Sequence, residues 1–153
     1  WNYAVKAGDT LTESFKLAGF EGGQYHLRVY GPNGYFREFA GNAQEPEVAV
    51  SCGYVLDKSG RPSGDLELVA INNGRKPQVL KVTDNAYQQK DIEANIAADA
   101  TVKMLIPASK SHQWYDFNVD SGARKGFMRF AGRVETGKEG VTDPFMGNTG
   151  SKI

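Results

Sequence analysis

The sequence has little of what most site chemistry is built from. Its 153 residues hold one cysteine and two histidines. A lone Cys52 excludes an internal disulfide and any paired-cysteine motif, and neither His26 nor His112 has neighbours at metal-ligand spacing. Net charge is missing as well, because eighteen basic residues cancel eighteen acidic ones. The balance is local, with four of each among residues 1–42, so no basic footprint for nucleic acid or an anionic membrane surface exists. Apolar runs are short: the stretch from Met104 to Pro107 falls far below the roughly 20 residues that span a bilayer as a helix. Glycine-rich phosphate loops, nucleophile elbows and calcium-loop motifs are also absent. The chain opens on Trp1 without a basic n-region or apolar h-region, so it is expected to be a piece of a longer polypeptide whose targeting signal lies elsewhere.

What is abundant is turn and strand chemistry. There are 18 glycines, and tyrosine and phenylalanine contribute seven and eight residues. Turn signals such as Gly31-Pro32-Asn33-Gly34 and Asn72-Asn73-Gly74 separate short segments rich in β-branched and aromatic residues. These predict strands near 10–18, 24–31, 35–41, 47–56, 65–72, 78–84, 92–96, 101–107, 113–120 and 126–135. Several alternate as a half-buried sheet requires, with Leu66, Leu68 and Ala70 on one side, as are Leu80 with Val82 and Phe117 with Val119. Cys52 falls in the alternating set Val48, Val50, Cys52, Tyr54 and is expected to face the core. Residues 85–99 lack a 3.6-residue apolar stripe and allow one helical turn at most. The expected fold is all-β, an antiparallel β-sandwich of immunoglobulin-like or jelly-roll-like type.

One phrase occurs twice. Residues 34–42 read GYFREFAGN and residues 126–134 read GFMRFAGRV. An offset of 90 carries Ala7 onto Ala97, Asp9 onto Asp99, Ala18 onto Ala108, Tyr25 onto Tyr115 and Val29 onto Val119. After the turn the offset is 91, carrying Phe36 onto Phe127, Phe39 onto Phe130, Ala40 onto Ala131 and Gly41 onto Gly132. A single insertion confined to a turn is what a structural repeat predicts. Residues 1–42 are then the tail of a first copy, 43–137 a complete second copy and 138–153 a C-terminal tail. Gly41 and Gly132 are expected where a strand bends or is closely approached.

Candidate chemistry is sparse. Ser111, His112 and Asp116 are too close along one strand to align as nucleophile, base and orienting carboxylate. Asp57, Asp65 and Glu67 flank one loop, but a calcium site needs more convergent carboxylates, so no metal or cofactor is expected. The aromatics offer more. Trp114, Tyr115 and Phe117 lie together, and Tyr35, Phe36 and Phe39 occupy the matching hairpin with Arg37 among them. Alternation must turn some of these rings outward. Trp114, Tyr115, Tyr35 and Arg37 are the candidate binding residues, as a platform for carbohydrate or a membrane headgroup, with core packing as the competing reading.

The run FAGRVETGKEGVTDPFMGN at 130–148 resembles the closing signature of bacterial phosphocholine-preferring phospholipases C, haemolytic and non-haemolytic, whose C-terminal region carries a small tandem repeat. The stretches at 25–42, 66–82 and 114–119 resemble other parts of that repeat. The resemblance implies a bacterial, exported parent enzyme that releases phosphocholine from phosphatidylcholine or sphingomyelin. It also implies that the catalytic residues sit in a separate N-terminal domain related to acid phosphatases, so none is carried over to this chain. On that basis this chain is expected to be a non-catalytic accessory domain, secreted with its parent. It would contact the parent's catalytic domain, a lipid surface or a partner protein, and no nucleic acid.

Overall fold

The computed structural model describes residues 1–121 and 126–146. The end of the predicted C-terminal tail, residues 147–153, lies outside the described residues. Among the described residues, nine strands form two antiparallel sheets: β1 (Gln24–Tyr30), β2 (Phe36–Asn42), β3 (Val48–Leu56), β4 (Pro62–Asn72), β5 (Gln78–Asp84), β6 (Ile92–Ile96), β7 (Thr101–Ile106), β8 (Trp114–Asp120) and β9 (Phe127–Arg133). The larger sheet runs β1-β2-β9-β8-β5-β6 and the smaller runs β3-β4-β7. The described helical content is limited to three single 3-10 turns, Leu17–Gly19, Glu21–Gly23 and Ser109–Ser111. The expected sandwich is therefore observed.

Alternation explains why the sheets face one another. On β4, Leu66, Leu68 and Ala70 are fully buried, while the residues between them are not. On β8, Tyr115, Phe117 and Val119 point the same way, and Leu80, Val82 and Ile96 join them from β5 and β6. Burying each leucine contributes about 1.5–3 kcal/mol, and the two sheets meet on this shared apolar layer. Val48, Val50 and Cys52 of β3 lie against it, so Cys52 faces the core as its alternation predicted. Burial pushes its thiol up to about 11 despite the nearby Arg37 charge.

The repeated phrase has a geometric meaning that the sequence alone does not reveal. β2 and β9 are its two occurrences, and they pair antiparallel with each other. The offset of 91 carries Glu38 onto Arg129, and these two residues are also direct register partners. A local twofold therefore passes between them and relates hairpin β1–β2 to hairpin β8–β9, as in the isologous contacts of dimers. The equivalent rings Phe39 and Phe130 meet edge to face across this axis, with centroids 6.1 Å apart at 87°. Gly41 and Gly132 are both closely approached, Gly41 by a side chain that could move aside and Gly132 by a buried ring and the Tyr35 backbone. A Cβ on Gly41 would run into the Glu45 carboxylate; one on Gly132, at φ 148°, would lie 3.0 Å from the Tyr115 hydroxyl.

One predicted strand does not form. Residues 10–16 have no regular structure and are exposed, and residues 17–19 make a 3-10 turn. By the offset of 90, residues 10–18 correspond to 100–108, the β7 region. β7 is held by pairing with β4, and residues 1–23 contain no counterpart of β4. Residues 10–18 pair with no strand among the described residues, and a strand needs a partner to satisfy its backbone groups. The segment contacts itself instead, with Trp1 against Phe15 at 5.0 Å and the Tyr3 hydroxyl donating to Glu13.

On the outer face of the larger sheet, a carboxylate ties β1 to β2. Glu38, with 7% of its side chain exposed, receives His26 Nε2 at 2.6 Å and Arg28 Nε at 2.7 Å. Burial alone would raise its carboxyl, but the hydrogen bonds from His26 and Arg28 and their charge outweigh it, holding the group below its usual 4.5. A depressed carboxyl stabilises the fold above the unfolded value, and this stabilisation is lost as pH falls through the lower folded value. Glu38→Gln is therefore expected to flatten the acid limb of a stability-against-pH curve; equal acid sensitivity in both proteins would contradict the assignment.

Candidate functional site

Three of the four candidate residues converge. Arg37 projects from the inner face of β2 and is only 7% exposed. Its guanidinium donates to the carbonyls of Phe36 at 2.8 Å and Ala131 at 2.9 Å, and to the Tyr115 hydroxyl at 3.0 Å. It lies 4.1 Å from the centroid of the Tyr35 ring, 5.1 Å from Phe130 and 5.5 Å from Tyr115. Among the described residues it has no carboxylate within ion-pair distance. Carbonyl dipoles, a phenol and three aromatic faces stabilise the buried cation. Tyr115 is itself buried, which raises its phenol; the Arg37 hydrogen bond and charge oppose this, and the group settles at about 12. It is therefore a neutral phenol at any working pH.

Arg37 and Tyr115 are thus enclosed and mutually satisfied, with Tyr35 as a partly exposed cover. Arg37 corresponds to Met128 in the other hairpin, which suggests a discriminating pair of substitutions. Arg37→Met keeps most of the volume but leaves the Ala131 carbonyl and the Tyr115 hydroxyl without their donor, at a cost of about 1–3 kcal/mol. Arg37→Ala strands the same groups and opens a void as well, raising the cost to about 3–5 kcal/mol. Urea denaturation of both variants checks this, and equal losses would refute it.

Trp114 stands on the opposite face of β8 and is partly exposed. The turn before it positions the ring. The single Ser111 hydroxyl hydrogen is shared between the carbonyls of Trp114, 2.6 Å from Oγ, and Ala108, 3.0 Å away, while His112 and Gln113 take left-handed φ of 55° and 69°. The indole Nε1 donates to the Val141 carbonyl at 3.0 Å, so the C-terminal tail lies across it. Asp143 anchors the same tail by accepting from the Tyr87 hydroxyl at 2.9 Å and the Phe145 amide at 2.9 Å.

The remaining polar candidates other than the exposed His112 are engaged in structure. Asp116 holds Arg129 through both carboxylate oxygens and also accepts from Asn85 at 2.8 Å. Ser111 serves the turn just described, so Ser111, His112 and Asp116 do not assemble as a triad. Asp57 accepts from Ser59 and Arg61 within its own turn, Asp65 accepts from the Ala108 amide at 3.0 Å, and Glu67 pairs with Lys103 at 3.0 Å.

A cleft of about 420 Å³ opens at one end of the sandwich. Its floor is the apolar layer itself, with Val82, Ile92 and Phe117 from the larger sheet and Ile106 from the smaller. Tyr87 and Trp114 form its walls, and Lys90 and Lys110 stand at its rim. The segment joining β5 to β6, residues 85–91, shapes one side. No sequence motif marks this cleft. The available signal was loop length, since that connection exceeds the two to five residues usual for a β-hairpin.

The fold and these secured positions agree with the sequence comparisons. The chain matches the family described as bacterial phospholipase C, C-terminal domain, over residues 1–42 and again over 46–133. It belongs to that family. Among its relatives is a non-hemolytic phospholipase C of Pseudomonas aeruginosa, 35% identical over 156 residues, which cover 95% of this chain and 21% of the relative. A non-hemolytic phospholipase C of Burkholderia pseudomallei is 34% identical, with 95% of this chain and 21% of that protein covered. A hemolytic phospholipase C of P. aeruginosa is 34% identical, covering 91% and 19% respectively. The chain therefore spans about a fifth of the length of these relatives. Among the described residues, no helix is long and apolar enough to cross a membrane.

Proposed function

We propose that this chain is the non-catalytic accessory β-sandwich of a secreted bacterial phospholipase C that acts on phosphatidylcholine or sphingomyelin. Its role is to support folding and export of the catalytic domain or to help that domain engage lipid. The observation that carries this reading is chemical. Apart from the exposed His112, the candidate nucleophile, base and metal-ligand groups are held in turns, ion pairs and strand contacts, while the family match assigns the chain to a C-terminal domain. Within this reading residues 1–42 are the tail of a first repeat and 43–137 a full second one. The antiparallel pairing of β2 with β9 across a local twofold supports that division. A carbohydrate or headgroup platform is the second reading; with Arg37 and Tyr115 enclosed, it would rest on the partly exposed rings of Trp114 and Tyr35.

The test compares the full parent enzyme with a version lacking residues 43–153, measuring export yield separately from turnover on soluble and bilayer substrates. A fall in yield at unchanged specific turnover assigns folding support, and a selective fall on bilayers assigns lipid engagement. Appreciable phosphocholine release by residues 1–153 alone would overturn the reading.

A further inference from the structure

We propose that the cleft at the sandwich mouth binds a single-chain amphiphile with an anionic head, such as a fatty carboxylate or an alkyl phosphate. This goes beyond the accessory reading and does not depend on it. The volume of about 420 Å³ falls within the range of small-ligand pockets, roughly 300–1,000 Å³. The floor consists of side chains that also form the core: Val82, Phe117 and Ile106 are each at most 6% exposed. A ligand reaching that floor must present hydrocarbon, since a polar group placed there would lose its water without finding a partner.

Charge at the mouth selects the head. Four charged residues line the cleft, two acidic and two basic. Asp84 is turned into its own loop, accepting the amides of Tyr87 at 2.7 Å and Gln89 at 3.3 Å. Asp91 is paired with Lys81 at 2.9 Å. Lys90 and Lys110 are exposed, and neither has an ion-pair partner among the described residues. Asp84 keeps its charge, so the two lysines outnumber the carboxylates without a cationic partner among the lining residues by one, and the net unpaired charge facing an incoming ligand is positive although the whole chain is neutral. Lys110 also borders an adjoining recess of about 210 Å³ beside Ser111 and His112, which gives a head group space next to an ammonium.

The test titrates the protein with dodecanoate, dodecyl phosphate and dodecyltrimethylammonium below their micelle concentrations, reading calorimetric heats and Trp114 fluorescence. Both anionic amphiphiles are expected to bind about tenfold more tightly than the cationic one, as one net rim charge close to the head would give. Shortening the chain from dodecanoate to decanoate should weaken binding about tenfold, from two fewer buried methylenes. The double variant Lys90→Glu/Lys110→Glu changes only exposed side chains and is expected to reverse the head preference. Ile92→Trp, on partly buried edge-strand residue Ile92, should fill the floor and abolish binding. If Ile92→Trp fails to fold, the chain-length series and the charge-reversed variant decide the matter. No saturable binding of dodecanoate, equal affinity for all three heads, or a preference unmoved by charge reversal overturns the proposal.

Discussion

Deleting residues 1–42 is expected to lower the melting temperature of the remaining sandwich by roughly 10–20 °C, the shift produced by losing about 3 kcal/mol in a domain of this size. The loss has a defined location. Strand β9 would surrender its β2 partner along five register positions, and the Phe130 ring would lose the edge-to-face contact of Phe39. The Ala131 carbonyl and the Tyr115 hydroxyl would lose Arg37. Deleting residues 1–23 alone removes mostly exposed chain and should leave stability within about 0.5 kcal/mol. Calorimetry on the two truncations separates these outcomes. An unchanged melting temperature for the longer deletion would mean that the second repeat stands without the hairpin.

The second large effect belongs to Asn72, a fully buried polar residue at the end of β4. Its Nδ2 donates toward three carbonyls, Lys76 at 2.8 Å, Ala97 at 3.0 Å and Ile96 at 3.2 Å, and its Oδ1 accepts the Gly74 amide at 3.0 Å. One side chain thus ties the small sheet to the β4–β5 loop and to the end of β6. Asn72→Leu matches the volume but leaves those groups unpartnered in the interior, which should cost about 3–5 kcal/mol. Asn72→Asp should cost at least as much, because a carboxylate has no hydrogen to give and would face the carbonyl oxygens directly. Denaturant unfolding measures both, and a loss below about 1 kcal/mol for either would show that water or relaxation supplies the missing partners.

These two sites also mark how far the sequence could be read. The strands were legible wherever apolar alternation was regular, as in Leu66, Leu68 and Ala70. The same alternation carried one step further points Asn72 inward, yet Asn72-Asn73-Gly74 looks like an ordinary turn, and the turn chemistry hid the buried role. Segment 10–18 shows the opposite failure, since it reads as a strand and pairs with none among the described residues. In the candidate site, alternation placed Arg37 on the same face as Phe39. Both faces of that hairpin carry aromatics, however, so no local rule could say which face was inward. The cleft was illegible for a different reason. Its floor comes from four strands and its side from the 85–91 loop, and only the assembled sandwich brings these together.

The pairing of the two repeated hairpins has a consequence for the order in which the molecule assembles. Each hairpin pairs strands that follow one another in the chain, but joining them brings Arg37 to Ala131 across 94 residues of chain. The entropy of closing a loop of that length is spent before the contact gives anything back. The N-terminal hairpin is therefore expected to dock after the sandwich has formed and to detach first on unfolding. In stopped-flow measurements Phe39→Leu should then accelerate unfolding and leave the folding rate nearly unchanged, whereas Leu68→Ala, at the centre of the core, should slow folding. The seam between the hairpins would thus act as the molecule's kinetic latch.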